Sequence, residues 1–304
     1  MADGLQDLYT TQFSTTLELL LQQRGSKLRE TVRAGNHVGK QASPVNQIGA
    51  LKTSRPARFA PKKRTESNYV RRWVFPIDGD MEQLFDTFDE IKTITDPKSE
   101  AAINASYAVG RDYDDEIIRA TTGDAKLGQD ASGLTTETFS TSDFQIASTY
   151  GSSAASGLTV AKIIEAKRIF EHYENDLEME MPTLAIGSQQ HSDLLNQAQV
   201  VSTEFRSVPA YDGNGNVSQF LGFRIKRLER LKVVSNVRSV LAWVASGMYL
   251  GIWKDMSNEA NKRTDLAGNP WELYTMFSFG GTRLQPGKVI EILCADLTGA
   301  AINP

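Results

Sequence analysis

From Asp96 to about Thr122 the chain carries one unbroken helical pattern, and every other element has to be arranged around it. Asp96-Pro97 offers a capping side chain followed by proline at the first helical position. Gly123 follows the last periodic residue, where a left-handed cap costs little. Ile103, Tyr107, Gly110, Asp114, Ile117 and Thr121 fall on one stripe, while Ala101, Ala102, Ala105 and Ala108 keep propensity high and the rod slim. Roughly 26 residues rising 1.5 Å each make a rod of about 40 Å, longer than the usual three or four turns. With few bulky anchors, such a rod suits a scaffold laid against a sheet. It does not suit a catalytic pocket.

Charge is distributed as unusually as the helix. Between Arg24 and Arg72 the basic residues Arg24, Lys27, Arg29, Arg33, Lys40, Lys52, Arg55, Arg58, Lys62, Lys63, Arg64, Arg71 and Arg72 face only Glu30 and Glu66. The next stretch inverts the sign, with Asp78, Asp80, Glu82, Asp86, Asp89, Glu90, Asp96 and Glu100 against Lys92 and Lys98. The overall net charge of −4 conceals this division. Blocks of opposite sign attract a partner or attract each other.

The 304 residues allow a sizeable core and favour two domains, or one with insertions. A hydrophobic fraction of 40% and a charged fraction of 23% are those of an ordinary globular chain. No apolar run reaches the roughly 20 residues that cross a bilayer, and MADGLQDLYTTQF lacks the pattern of a signal peptide. The one cysteine, Cys294, lies in an apolar strand pattern and reads as a buried thiol. A reduced, intracellular site of synthesis is expected.

Residues 5 to 34 read as an amphipathic helix broken near Gly25, the form of an arm. In 35 to 72, Val45, Ile48 and Leu51 lead to the basic tip SRPARFAPKKR, and TESNYVRRWVFPI returns as a strand. This is a long two-stranded extension that needs a neighbour to lie on. Residues 80 to 94 read as a short acidic helix. GLTVAKIIEAKRIFEHYEND is an amphipathic helix with Val160, Ile163, Ile164, Ala166, Lys167 and Phe170 on or near one face. TLAIGSQQHSDLLNQ reads as a strand, a Ser188 cap and a helix. A hairpin around DGNGN, strands SVLAWVA and MYLGIW, a loop DMSNEANKRTDLAGNP, and a closing hairpin of WELYTMFSFGGTRL and KVIEILCAD complete the chain. Gln285-Pro286-Gly287-Lys288 fits a type II turn. The class is α+β.

Chemistry is sparse. His37, His172 and His191 have no metal-ligand partners at useful spacing. Ser188 with His191 lacks a nucleophile elbow and reads as a helix cap. Asp212, Asn214 and Asn216 imitate the start of an EF-hand, but Val217 and Phe223 stand where glycine and glutamate are required. Asp78/Asp80 and Asp112/Asp114/Asp115/Glu116 read as solvated or interface-facing acids. There is no phosphate-binding glycine loop. No enzyme, cofactor or metal is expected. The basic block has two readings, phosphate contacts of a basic-armed DNA-binding protein, or contacts between copies of one chain. With Phe59, Tyr69 and Trp73 its few aromatics, a stacking platform for single strands is poor. The favoured reading sets the basic hairpin of one subunit over the acidic stretch of the next, a heterologous contact that builds rings or lattices. Arg55, Arg58, Lys62, Lys63 and Arg64 on one side, and Asp86, Asp89 and Glu90 on the other, are the expected contact residues.

This order of parts, and the stretches YVRRWVFPIDGD, TITDPKSEAAINASYAVGRDYDDEIIRATTGDA, LTVAKIIEAKRIFEH, QFLGFRIKRLERL and FSFGGTRLQPGKVIEI, resemble the tailed-bacteriophage major capsid proteins of the Hong Kong 97 fold. The matching stretches cover most of residues 69 to 293, each weak alone and more specific as an ordered set.

The resemblance implies an N-terminal arm at 1–34, an extended β-hairpin loop at 35–77, and a peripheral domain at 78–159 and 271–304 containing the long spine helix. An axial domain takes 160–270. It implies self-assembly, as pentamers and hexamers, into an icosahedral shell enclosing a double-stranded DNA genome. Further implied partners are a separate scaffolding protein, a portal and, in some shells, a decoration protein, with no membrane. The place would be the virion, after assembly in the host cytoplasm. The related isopeptide cross-link needs a lysine and an asparagine from different subunits. Lys52, Lys62 and Lys63 are available donors, nothing marks the asparagine, and no cross-link is expected.

Overall fold

The structure is a computed structural model that describes residues 22–39, 43–49, 51, 53, 55, 58–59, 61, 64, 66–67, 69–85, 98–129, 133–197 and 217–296. Its strands are β1 (Arg33–Asn36), β2 (Ser43–Ile48), β3 (Tyr69–Val74), β4 (Ile77–Phe85), β5 (Ala125–Leu127), β6 (Thr135–Glu137), β7 (Gln145–Ile146), β8 (Thr183–Ile186), β9 (Gln219–Phe220), β10 (Phe223–Arg227), β11 (Val233–Val234), β12 (Val237–Trp243), β13 (Met248–Lys262), β14 (Trp271–Arg283) and β15 (Val289–Ala295). The helices are α1 (Lys98–Thr122), α2 (Thr141–Phe144), α3 (Val160–His172) and α4 (Ser188–Leu195). The fold is α+β. Contacts gather the described residues into two compact units, one from within 1–26, 78–111 and 254–278, the other from within 27–77, 112–253 and 279–304.

In the smaller unit β13, β14 and β4 lie side by side in that order. Phe277 on β14 packs where a side chain on Gly79 would otherwise sit, 2.3 Å from the ring. α1 contributes its first half, with Ala105 and Val109 buried. Gly110 is needed for approach, since a Cβ there would stand 2.5 Å from the backbone of Gly25. The chain at 22–23 is held to the helix by Gln22 donating to Asn104 at 3.0 Å and Arg111 donating to Gln22 at 2.7 Å.

The larger unit has its core in a seven-stranded sheet ordered β7-β15-β12-β8-β10-β9, with β11 on β12. Leu184, Ile186, Val240, Ala242, Ile290 and Ile292 form one buried face with Ile163, Ala166 and Phe170 of α3 and Leu194 of α4. Each valine, leucine, isoleucine or phenylalanine side chain fully buried here is worth about 1.5–3 kcal/mol before the entropy of ordering it is deducted, and each alanine less. Thr159 caps α3 through its side chain, which accepts from the Lys162 N–H. On the other face Trp243 is fully buried and donates to the Thr31 carbonyl at 3.1 Å. The second half of α1 packs on the end of β14. Tyr113 stacks on Phe279 at 4.1 Å, and Gly281 meets Ala120 and accepts no bulkier side chain without displacement.

The helix at 98–122, the helix at 160–172, the hairpin of β2 and β3, and the buried strand β8 agree with the sequence reading. Several other expectations do not. Residues 27–34 are not helical; a 3-10 turn at Arg29–Thr31 leads into β1, because Leu28 is buried and β1 pairs in parallel with the start of β13. The start of the expected acidic helix is instead β4, whose Asp80, Glu82 and Leu84 are exposed while Met81, Gln83 and Phe85 are half-buried. Ile103 is 45% exposed and Ile164 54% exposed, so neither belongs to the buried stripe of its helix. Gly123 is not left-handed; its N–H continues the helical pattern onto Arg119 O at 2.9 Å.

Ser188 is the first residue of α4, not its cap, and its backbone N–H is taken by the Glu229 carboxylate. β13 runs on to Lys262 through residues expected to be loop, since a strand paired along its edge tolerates polar side chains on open faces. β14 and β15 belong to different sheets and make no hairpin. Pro286–Lys288 is a 3-10 turn, and Gly287, without the positive φ of a type II turn, lies 3.0 Å from the Tyr173 ring at its missing Cβ. The Asp96-Pro97 cap, residues 86–94, the first part of the arm and the DGNGN turn lie outside the described residues.

Candidate functional site

The basic hairpin is rooted rather than free. β2 and β3 pair antiparallel with Asn46 opposite Arg71 and Ile48 opposite Tyr69. β3 pairs in turn with β5, and β5 with β6, giving a four-stranded sheet that satisfies the need for a neighbour. Trp73 donates to Gly128 O at 2.9 Å, and Arg71 to Asn46 at 2.8 Å and to Gln129 O at 2.8 Å.

Under this root two arginines are buried. Arg72 sets a nitrogen 2.6 Å from the Glu137 carboxylate. Arg283 donates to Thr121 O at 2.8 Å and Gly123 O at 2.9 Å, placing a cation on the open carbonyls at the end of α1. Burial lowers the Arg283 pKa, with the neighbouring Glu137 carboxylate working against it. Thus the hairpin strand, the β6 strand and the end of the long helix are tied by side chains that the basic composition alone would have assigned to solvent.

Toward the tip the surface changes. Arg55, Arg58 and Arg64 are exposed. The Arg58 guanidinium lies 5.0 Å from the centre of the Phe59 ring, itself 92% exposed. Arg64 and Glu66 approach to 3.5 Å with both side chains in solvent, a pairing of little energetic consequence. Ile48, Leu51 and Tyr69 are exposed at 68%, 60% and 71%. A shallow groove of about 700 Å³ runs over the hairpin face between Ile48, Tyr69, Arg71 and Gly128. Lys62, Lys63, Asp86, Asp89 and Glu90 lie outside the described residues, so the structure places three of the eight expected contact residues, Arg55, Arg58 and Arg64, and places them in solvent. In the sequence Ile48, Leu51, Phe59 and Tyr69 read as strand residues and sparse aromatics, not as an exposed apolar surface.

The groups considered for chemistry are committed elsewhere. The Asp114 carboxylate accepts the backbone N–H of Lys27 and of Leu28, Asp115 pairs with Arg230, and Glu116 accepts from Arg119 and from Gly281 N–H at 2.7 Å. Among the described residues no group of three or more histidine, cysteine, aspartate or glutamate side chains is placed to hold a metal ion. His191 Nε2 accepts the Val217 N–H at 3.2 Å, and burial lowers its pKa. His37 packs 5.0 Å from Trp253 and contacts the Tyr249 hydroxyl at 2.9 Å. Cys294 is buried, as its strand pattern required.

A model of the phage capsid protein family matches residues 5–296. The chain belongs to the phage capsid protein family, and its role is to form a capsid shell. Its fold is similar to the capsid of cyanophage Pam1, with a TM-score of 0.71 at 12% identity over 100% of both chains. It is similar to the capsid of cyanophage P-SCSP1u, with a TM-score of 0.70 at 14% identity over 97% of this chain and 96% of that one. It also resembles the capsid of the native GTA particle, with a TM-score of 0.65 at 11% identity over 97% and 98%. At these identities the likeness concerns the fold, which is Hong Kong 97-like. No curated protein matches the sequence.

Proposed function

We propose that this chain is the major capsid protein of a tailed phage, tiling a closed icosahedral shell around double-stranded DNA as pentamers and hexamers. The observation that carries this reading is the rooted hairpin. A four-stranded base and the buried Arg72–Glu137 contact hold a projection whose outer part exposes Ile48, Leu51, Phe59 and Tyr69 together with Arg55 and Arg58. A projection stiff at its root and apolar at its surface is suited to lie on another subunit. The basic tip, with Lys62, Lys63 and Arg64, lies across an acidic stretch including Asp86, Asp89 and Glu90 of the adjacent subunit.

In this reading residues 1–34 form the arm and 35–77 the extended loop. Residues 78–159 with 271–304 form the peripheral domain, and 160–270 the axial domain that gathers around the shell's symmetry axes. A separate scaffolding protein and a portal accompany assembly in the host cytoplasm, a decoration protein binds outside where one is used, and the packaged DNA lies against the inner face. No catalytic group takes part in this function. The test is reversal of Arg55, Arg58, Lys62 and Lys63 to Glu, with the product expressed alone and with its genomic neighbours. A folded subunit that sediments without closed shells, as checked by negative-stain microscopy, is the expected result. Normal shells from the reversed chain refute the hairpin contact.

A further inference from the structure

Lys162, in the first turn of α3, has its side chain fully buried. Its Nζ stands 3.0 Å from Ser148 O, 2.8 Å from Ser156 O, 2.9 Å from Gly157 O and 3.0 Å from Leu293 O. An ammonium has three protons. Four carbonyl oxygens at nearly one distance therefore describe a coordination shell rather than a set of directed bonds. Shells of backbone carbonyls are what replaces the hydration of a monovalent cation in a protein.

The oxygens come from the two ends of one loop and from β15. The loop, residues 147–157, is closed at its base by the Ser156 N–H and hydroxyl on Ser148 O, at 2.9 and 3.3 Å. Ser156 O also accepts from Ala295 N at 2.9 Å, joining the base to the end of β15. Residues 149–155 are all exposed. On that outer side Tyr150 donates to Glu165 at 2.9 Å, so the cation side chain is the inner fastening of an otherwise outward loop. Asp193 of α4 supplies negative charge behind it. Its carboxylate accepts the Leu158 N–H at 3.2 Å, and a Cβ on Gly157 would stand only 2.0 Å from it.

We propose that the loop 147–157 folds around a monovalent-cation site, that Lys162 fills this site from within the chain, and that a chain in which this side chain is cut back, leaving the site empty, takes up ammonium or potassium ion in its place. Four converging carbonyl dipoles repel one another when nothing positive lies between them. Although Ser148 O and Ser156 O keep their Ser156 and Ala295 donors, all four lose the one cation they share, which is costly in a buried place. The emptied cage therefore collapses or recruits a cation of the right size.

The experiment uses the full chain carrying K162A or K162M. Thermal unfolding and proteolysis of the loop are followed in lithium, sodium, potassium, ammonium and n-propylammonium chlorides at matched ionic strength. The last restores the atoms that alanine removes. In lithium, K162A should unfold roughly 5 °C or more below the parent and be cut faster at 149–155. Ammonium, potassium and above all n-propylammonium should reverse both changes, while K162M, whose chain fills the space, should not respond. A K162A chain that refolds poorly is read by refolding yield in the same salts, with the same order expected. Equal behaviour in all five salts, by either readout, overturns the proposal, as does parental stability of both variants.

Discussion

The Asp114 carboxylate, in the middle of α1, accepts the backbone N–H of Leu28 at 2.9 Å and that of Lys27 at 3.0 Å. Asp114 and Leu28 are both fully buried. One short side chain on the long helix thus fixes where the chain turns into the 3-10 turn and β1. D114A leaves these amide donors without that acceptor, at a cost of about 1–3 kcal/mol for each buried group left unpaired. D114N, which keeps one oxygen, should lose less. Urea unfolding should rank parent, D114N and D114A in that order, and proteolysis at 22–28 should accelerate most in D114A.

Gly280 meets the opposite kind of constraint. A Cβ there would stand 1.9 Å from the Phe75 carbonyl oxygen, a backbone atom that cannot rotate away. Gly133, by contrast, has open space at the same position. G280A should destabilise by on the order of 3 kcal/mol, in the range of overpacked sites, whereas G133A should stay within about 0.5 kcal/mol of the parent. Thermal unfolding of the two variants side by side checks both.

Burial pushes the Cys294 thiol up to about 12, against the opposing pull of the Lys162 ammonium. The thiolate is the reactive form, so the native chain should resist iodoacetamide at about pH 8. Labelling should appear only with the unfolding transition. Mass spectrometry across a urea series reads this directly, and rapid labelling of the native chain contradicts it.

His37 and His191 both have pKa values held below the usual imidazole value of 6.5, chiefly by burial, with Arg227 adding to the effect at His191. The unfolded chain therefore binds these protons more readily than the native one. Their contribution is present above about pH 6.5 and is lost as pH falls through the lowered native values. Stability measured from about pH 8 to 5 should decline toward acid, and the decline should be shallower in H37Q with H191Q. An unchanged slope in that double variant assigns the acid sensitivity to carboxylates instead.

What the sequence disclosed was what local spacing can encode. The alanines and the Gly110, Asp114, Ile117 spacing were enough for α1, and Val160, Ile163 and Phe170 for α3, because a helix advertises its buried side within a few turns. The hairpin was visible in Ile48, Tyr69 and the basic tip between them. β4 is concealed in the sequence because Met81, Leu84 and Phe85 also match helical spacing. The alternation of Asp78, Asp80 and Glu82 acquires meaning only from the partner strand β14, nearly two hundred residues on. The same limit hid the candidate surface. Arg55 and Arg58 looked exposed and are, but Arg71 is bound within its own hairpin and Arg72 is buried on Glu137. Nothing near them in the chain announces the difference.

β1 lies parallel to the start of β13, with Arg33 opposite Tyr249, and His37 meets the Tyr249 hydroxyl across 212 positions of sequence. A ribosome delivers the first of these strands long before the second. The early strand has no partner until most of the polypeptide has emerged, and pairing over so long a span is slow. Chains cut short before residue 249 therefore lack the strand that pairs with residues 33–36, and keep upstream of it the α1 contacts at Gln22, Lys27 and Leu28. A copy ended early is thus expected to fail at this pairing before it can enter a shell, where one defective tile would leave a hole.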